Sequence, residues 1–162
     1  MKIVFAADSH GRFDRLEILL SRLRDAGIVY FFHAGDFAVY GVADILKKFS
    51  EISIFISEGN SDVNSEILKE VRALPNVKIQ EVIYEQIEGV GIGMSHYEGV
   101  AQNVLRGKKV DLFFHGHTHR AKKEQRDGKL VLNPGAIEED GHCFLVDVTE
   151  ITIRQKFFND AF

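Results

Sequence analysis

One cysteine, two prolines and no long apolar run set the first limits on this chain of 162 residues. The lone Cys143 has no partner within the chain, which excludes a disulfide scaffold and fits a reducing compartment. Its place in an apolar run marks it as a core residue rather than a ligand. No stretch approaches the roughly 18 apolar residues that a membrane-spanning helix needs, so no membrane partner is expected. The opening Met1 to Asp8 is too short for a signal peptide, and a cytoplasmic location is the expectation. Strong positive charge is also lacking. The net charge is −4 and the pI about 6.0, unlike a general nucleic-acid binder, so no stable nucleic-acid complex is expected. A nucleotide substrate stays open. There is no repeat, linker or low-complexity segment.

What is present is the composition of an ordinary globule, 45% hydrophobic and 27% charged. The length fits one domain, residues 1–162, with a sizeable core. Thirteen phenylalanines against two prolines point to a well-filled interior.

Periodicity predicts the elements. Ile3 to Ala7 reads as a central strand. Leu16, Leu19, Leu20 and Leu23 mark one face of a helix over about Phe13 to Ala26, which Gly27 stops. A strand at Ile28 to Phe32 completes a βαβ unit and implies parallel pairing. A second helix is expected at about Gly41 to Phe49, then a strand at Ile52 to Ile56. A third helix, about Asn64 to Leu74, follows with Asn64 as its cap. Val77 to Ile87 alternates imperfectly and turns through Glu88-Gly89 into Val90 to Met94, which reads as a hairpin or meander. A short helix, about Val100 to Leu105, precedes a strand at Val110 to Phe114. Asp127-Gly128 is a hairpin turn between Ala121–Arg126 and Lys129–Leu132. A last strand pair spans Cys143–Val148 and Ile151–Phe157. Together these make an α/β domain with a mixed, two-sheet core.

The chemistry-bearing residues stand just beyond the strands. Phe114-His115-Gly116-His117-Thr118-His119 places three histidines in five positions. At strand spacing His115, His117 and His119 could share a face. Asp8-Ser9-His10-Gly11, Gly35-Asp36, Gly59-Asn60-Ser61-Asp62 and Ser95-His96 each follow an apolar, strand-like segment. In an open α/β sheet the carboxyl ends of the strands form the ligand crevice. Taken singly, an Asp-x-His is a loop or cap, a Gly-Asp or Gly-Asn a turn, and His96 a satisfied loop histidine. Five strand ends converging on carboxylate, amide and imidazole groups form a metal site.

The series Asp8-x-His10, Gly35-Asp36, Gly59-Asn60, His96 and Gly116-His117-x-His119 resembles the calcineurin-like metallophosphoesterases. With the short length and Asn133-Pro134-Gly135, it is most similar to their small bacterial and archaeal phosphodiesterase branch. The resemblance implies a four-layer αββα sandwich with two mixed β-sheets and the metal site at the strand carboxyl ends. It implies one metal on Asp8, His10, Asp36 and His119, and another on Asp36, Asn60, His96 and His117. It makes Asp36, Asn60 and His96 the residues expected to carry catalysis. Mixed nitrogen and oxygen ligands suit two divalent transition-metal ions, with manganese first and nickel, iron, zinc or cobalt as alternatives. Two cations about 3.5–4 Å apart neutralise a phosphoryl group and clamp the attacking and leaving oxygens. They also lower the pKa of bound water, so in-line attack by a metal-bound hydroxide on a small phosphodiester is expected. A homodimer or higher oligomer is expected from relatives. The rival readings are a non-catalytic scaffold of the same fold, and a phosphomonoesterase or nuclease.

The chain departs from the family in one place. Where a histidine or cysteine often follows Gly-Asn, this chain has Ser61 and then Asp62. Serine is a poor general acid, so turnover is expected to fall steeply as the leaving-group pKa rises unless water, Asp62 or another histidine supplies the proton. His33, His115 and His142 have no ligand role and are read as partners of backbone groups or of the ligands. Arg120, Lys122 and Lys123 read as a solvated hairpin face. Asn133-Pro134-Gly135 reads as a tight turn near the site. Phe37, Tyr40 and Tyr97 read as core or stacking residues.

Overall fold

The first strand is apolar on both of its faces, and that decides the layering. In the computed structural model, which describes residues 1–162 except for the side chains of Gln102 and Asn103, β1 (Lys2–Ala6) turns Val4 and Ala6 toward helices and Ile3 and Phe5 toward a second sheet. A strand buried on both sides reads as a near-continuous apolar run, as this one does.

Helix α1 (Phe13–Asp25) buries Leu16, Leu19, Leu20 and Leu23, the face that periodicity marked. It stops where expected. Gly27 has φ +66°, its N–H reaches Arg24 O, and the Ile28 N–H reaches Leu23 O. That hydrogen-bond pair is a Schellman closure. Helix α3 (Ser65–Arg72) is capped by Asn64, whose Oδ1 accepts from the Glu66 and Ile67 N–H groups. Helix α2 (Val42–Lys47) is shorter than the Gly41–Phe49 expected. Phe49 lies beyond its end yet is 2% exposed, so the periodicity reported burial rather than helix.

The first sheet has the order β11 (Thr152–Phe157), β10 (His142–Asp147), β1, β2 (Tyr30–His33), β3 (Ser53–Ser57), β4 (Val77–Gln80). Strands β1 to β4 run parallel, while β10 and β11 are antiparallel additions. The second sheet has the order β5 (Val82–Ile87), β6 (Val90–Ser95), β7 (Leu112–Phe114), β9 (Lys129–Asn133), β8 (Lys122–Arg126). Within it, β6, β7 and β9 are parallel neighbours.

Val77 to Ile87 is therefore not one arm of a hairpin. It is two strands in two sheets, and only Glu81 separates them. The alternation runs on because the chain stays extended as it crosses between sheets.

Between the sheets Phe5 stacks on Phe114 with ring centroids 3.8 Å apart, and Phe32 on Phe55 at 4.7 Å. Each fully buried ring contributes roughly 3 kcal/mol through removal from water. Helices α1 to α3 cover the outer face of the first sheet. Outside the second sheet, α4 (Ala101–Val104) packs Ala101 on Phe113 and Val131. The layers are αββα, with a single helical turn as the fourth. Among the described residues no helix is long and apolar enough to cross a membrane.

Candidate metal centre

The carboxyl ends of β1, β2 and β3 meet those of β6 and β7 at one edge of the sandwich. Short backbone bonds tie them together: Asp8 N–H to Gly35 O at 3.1 Å, and Gly116 N–H to His96 O at 3.1 Å. Among the described residues eight non-glycine positions adopt positive φ, and five of them are Asp8, His10, Asp36, His117 and His119. Such conformations cost about 1–3 kcal/mol each and persist where the surroundings impose them. Strain is thus concentrated on the residues that chemistry singled out. Gly116 has its own steric reason. A Cβ there would lie 2.8 Å from Asp8 Oδ2 and 2.9 Å from Ala34 O.

Asp8, His10 and His119 form one group, with one nitrogen or oxygen of each lying within 4.8 Å of the others. Asp8 is fully buried and accepts the His117 backbone N–H at 3.1 Å. Burial pushes its carboxyl up to about 7; His119 pulls it down, and Asp36 adds to the rise. His119 Nδ1 donates to Glu139 Oε1 at 2.8 Å, which leaves Nε2 facing Asp8 Oδ1 at 3.5 Å. Burial alone would lower the His119 pKa, but the Glu139 bond and the Asp8 charge outweigh it and raise it. His10 Nε2 stands 3.4 Å from Asp36 Oδ2 and has no hydrogen-bond partner.

Asp36, Asn60, His96 and His117 form the other group. Burial raises the Asp36 carboxyl, but the bond from the Ser61 N–H at 2.9 Å, with the Ser61 side chain, His96 and His10 nearby, holds it below its ordinary value. His96 Nδ1 sits 2.7 Å from Ala34 O, and a carbonyl can only accept. The proton is therefore on Nδ1. Burial lowers the His96 pKa, so the ring is neutral and Nε2 carries a lone pair. That lone pair faces Asn60 Oδ1 at 3.0 Å and Asp36 Oδ2 at 3.6 Å. Three acceptors with no donor among them suit a cation.

Asp8 Oδ1 also lies 4.0 Å from His96, but from the committed Nδ1. The proximity of Asp8, Asp36 and His96 is therefore less telling than the Nε2 geometry.

Asp62 is not a proton source. Its two oxygens accept the backbone N–H groups of Asp36, Phe37, Ala38 and Gly59 at 2.7–2.9 Å. Three successive amides wrap the carboxylate in an anion-binding concavity that the chain itself fills. The bonds clamp the loop after β2 to the loop after β3, and so set Asp36 against Asn60.

All seven expected ligands meet here, but His115 does not join them. It continues the alternation of β7, pairs with Phe113 on the outer face, and lies 3.7 Å from Glu98. The bend at Gly116 and the positive φ of His117 and His119 break the period-two expectation. His33 is buried between Phe31 and Phe37 with neither ring nitrogen bonded, and burial pushes its pKa down to about 3. It partners no backbone group. His142 packs on Phe157. Phe37 is core, and Tyr40 is 71% exposed. Lys122 pairs with Glu124 on the exposed hairpin.

The sequence pattern missed four supports. Tyr97 donates to Asn60 Oδ1 at 3.0 Å and packs on His117. Glu138 Oε2 approaches His10 Nδ1 at 3.8 Å, beside the Glu139–His119 bond. Arg15 on α1 donates to the carbonyls of Ile137, Glu138 and Glu139 at 2.6–3.0 Å. Asn133 does more than turn the chain: its Nδ2 donates to Gly116 O at 2.8 Å and Thr118 Oγ1 at 3.1 Å, bracing the histidine loop.

Residues 1–150 match the calcineurin-like phosphoesterase superfamily domain. The chain belongs to that superfamily. Its relatives include a phosphodiesterase of Methanocaldococcus jannaschii, 28% identical over 141 residues, which cover 83% of each chain. The structure of an archaeal phosphodiesterase superposes with a TM-score of 0.80 at 22% identity, over 96% of this chain and 99% of that one. A single mutant of Vps29 from Entamoeba histolytica gives 0.66 at 18% identity, over 96% and 97%. Both structural likenesses are of fold. An α/β fold with two mixed sheets and few helices is what the resemblance implied.

Proposed function

We propose that this calcineurin-like phosphoesterase hydrolyses small phosphodiesters with two divalent transition-metal ions, residues 1–162 acting as one unit. Asp8, His10, Asp36 and His119 would hold one ion, and Asp36, Asn60, His96 and His117 the other. The observation that carries this is the placement of Asp36 Oδ2, 3.4 Å from His10 Nε2 and 3.6 Å from His96 Nε2. One carboxylate oxygen between two imidazole nitrogens suits a shared ligand. The mixed nitrogen and oxygen set favours manganese, with nickel, iron, zinc or cobalt as alternatives.

Bound there, two cations would supply neutralisation of the phosphoryl charge and a nucleophile made from water near neutral pH. The chain does the rest. Ser61 holds Asp36 ionised. The Ala34 carbonyl and Glu139 fix the tautomers of His96 and His119, so each aims Nε2 inward. Asp62 fixes the distance between the Asp36 and Asn60 loops.

The test is hydrolysis of bis-p-nitrophenyl phosphate against p-nitrophenyl phosphate. Chelator-stripped protein is assayed with Mn, Ni, Zn or Mg added back, beside Asp36→Asn. The expected result is metal-dependent diester cleavage that falls at least about a hundredfold in Asp36→Asn, since even an outer partner of a metal ligand is worth 10–100-fold. Cleavage unaffected by chelation, or equal in the variant, would contradict the reading. Preference for the monoester would move it to a phosphomonoesterase. No bound metal would move it to a scaffold.

A further inference from the structure

Cleavage of a phosphodiester leaves an oxygen that must gain a proton, and most of the polar hydrogens at this centre are already given away. Ser61 bonds Asp36 through its N–H at 2.9 Å, and its hydroxyl is a poor acid. Both oxygens of Asp62 are taken by backbone amides. The Nδ1 protons of His96 and His119 go to Ala34 O and Glu139.

Tyr97 is placed differently. Its ring packs on His117 with centroids 4.4 Å apart and on His96 at 4.9 Å. Its hydroxyl reaches Asn60 Oδ1 at 3.0 Å, and the residue is 38% exposed. The Ser95 hydroxyl pins its backbone by donating to Tyr97 O at 2.5 Å. Next to it opens a cavity of about 390 Å³ walled by Glu58, Glu81, Ser95 and Val100. His96 and Tyr97 both line the cavity, and His96 is also one of the seven candidate ligands. Tyr97, which touches Asn60, His96 and His117, therefore borders the ligands on one side and the cavity on the other.

We propose that Tyr97 is a catalytic residue whose phenolic O–H protonates the leaving oxygen of a phosphodiester, with the leaving group seated in the cavity beside His96. This rests on the phosphodiesterase reading above. In the step, the oxygen of a water that gives up one proton to solvent bonds to phosphorus as the bond from phosphorus to the leaving oxygen breaks. The leaving oxygen keeps the electron pair and takes the phenolic proton. The phenolate then recovers a proton from solvent water. Only the hydroxyl must turn, from Asn60 Oδ1 to the leaving oxygen, and a hydroxyl rotates to suit its acceptor.

The experiment compares wild type with Tyr97→Phe, which keeps the ring and its packing and removes only the O–H. Two diesters are used with saturating Mn: diphenyl phosphate, whose leaving group needs the proton, and bis-p-nitrophenyl phosphate, whose leaving group does not. The expected result is a fall in kcat of about a hundredfold on the first and under about threefold on the second, the range of general-acid catalysis. Metal content of the variant, read by inductively coupled plasma mass spectrometry, stays at the wild-type value. Equal losses on both diesters, or loss of metal, would overturn the proposal, since Tyr97 would then act through Asn60. Wild type that binds metal yet cleaves neither diester would overturn the phosphodiesterase reading and this proposal with it. A slow phenyl ester in both proteins, beside a fast nitrophenyl ester, would overturn this proposal alone.

Discussion

His119 and His96 occupy corresponding places in the two halves of the centre, and they are braced in opposite ways. Each gives its Nδ1 proton to an outer acceptor and aims Nε2 inward. For His119 the acceptor is the Glu139 carboxylate, and the ring is only partly buried. For His96 it is the neutral carbonyl of Ala34, and the ring is buried. The charged brace raises the basicity of His119, and burial lowers that of His96. The same task, fixing a tautomer and a direction, thus produces two nitrogens of different affinity for protons and hence for metal.

The largest effect is expected from breaking the Asp62 clamp. Asp62→Ala strands four backbone N–H groups, three of them on the strained Asp36 loop. Unfolding by urea should show a loss of about 3 kcal/mol or more, because unsatisfied buried donors cost about 1–3 kcal/mol each. The cation on Asn60 should be lost with it. A variant with unchanged stability would show that the two loops do not depend on the clamp.

Next in size is Glu139→Gln. It keeps a hydrogen-bond acceptor but removes the charge behind His119. Calorimetric titration should show binding in that half weakened by about 10–100-fold, with the His96 half unchanged. Equal weakening in both halves would erase the distinction between them.

The smallest effect is one of pH. A histidine with a raised pKa takes its proton at higher pH, so protons compete for His119 before they compete for His96. As pH falls below the ordinary histidine value of 6.5, the His119-side cation should leave first. Metal release followed against pH should therefore be biphasic. A single step would contradict the difference in bracing.

Much of the site was legible because ligand chemistry needs particular residue types, and strand ends announce themselves by apolar runs. That Asp8, His10, Asp36, Asn60, His96, His117 and His119 would be neighbours was expected from those residue types together with the family resemblance. The face of α1 and the Asn64 cap were legible for similar local reasons. What failed was long-range. The division of Val77–Ile87 between two sheets depends on pairing partners that no local alternation reveals. His115 was misaimed because the rule of alternating faces ends at Phe114, where Gly116 bends the chain. Asp62 looked like an acid because its amide partners lie as far as 26 residues back along the chain. Glu139 acts through His119, and Tyr97 is brought against Asn60 and His117 only by the fold, and a sequence does not display contacts.

The proposed site stands or falls on whether Asp36 joins two metal ions across the meeting of the two sheets. Inductively coupled plasma mass spectrometry of protein loaded with Mn and freed of excess tests it most directly. The expected result is two ions per wild-type chain and fewer than one per chain of Asp36→Asn. Wild type with no bound metal, or a variant that keeps both ions, would contradict it.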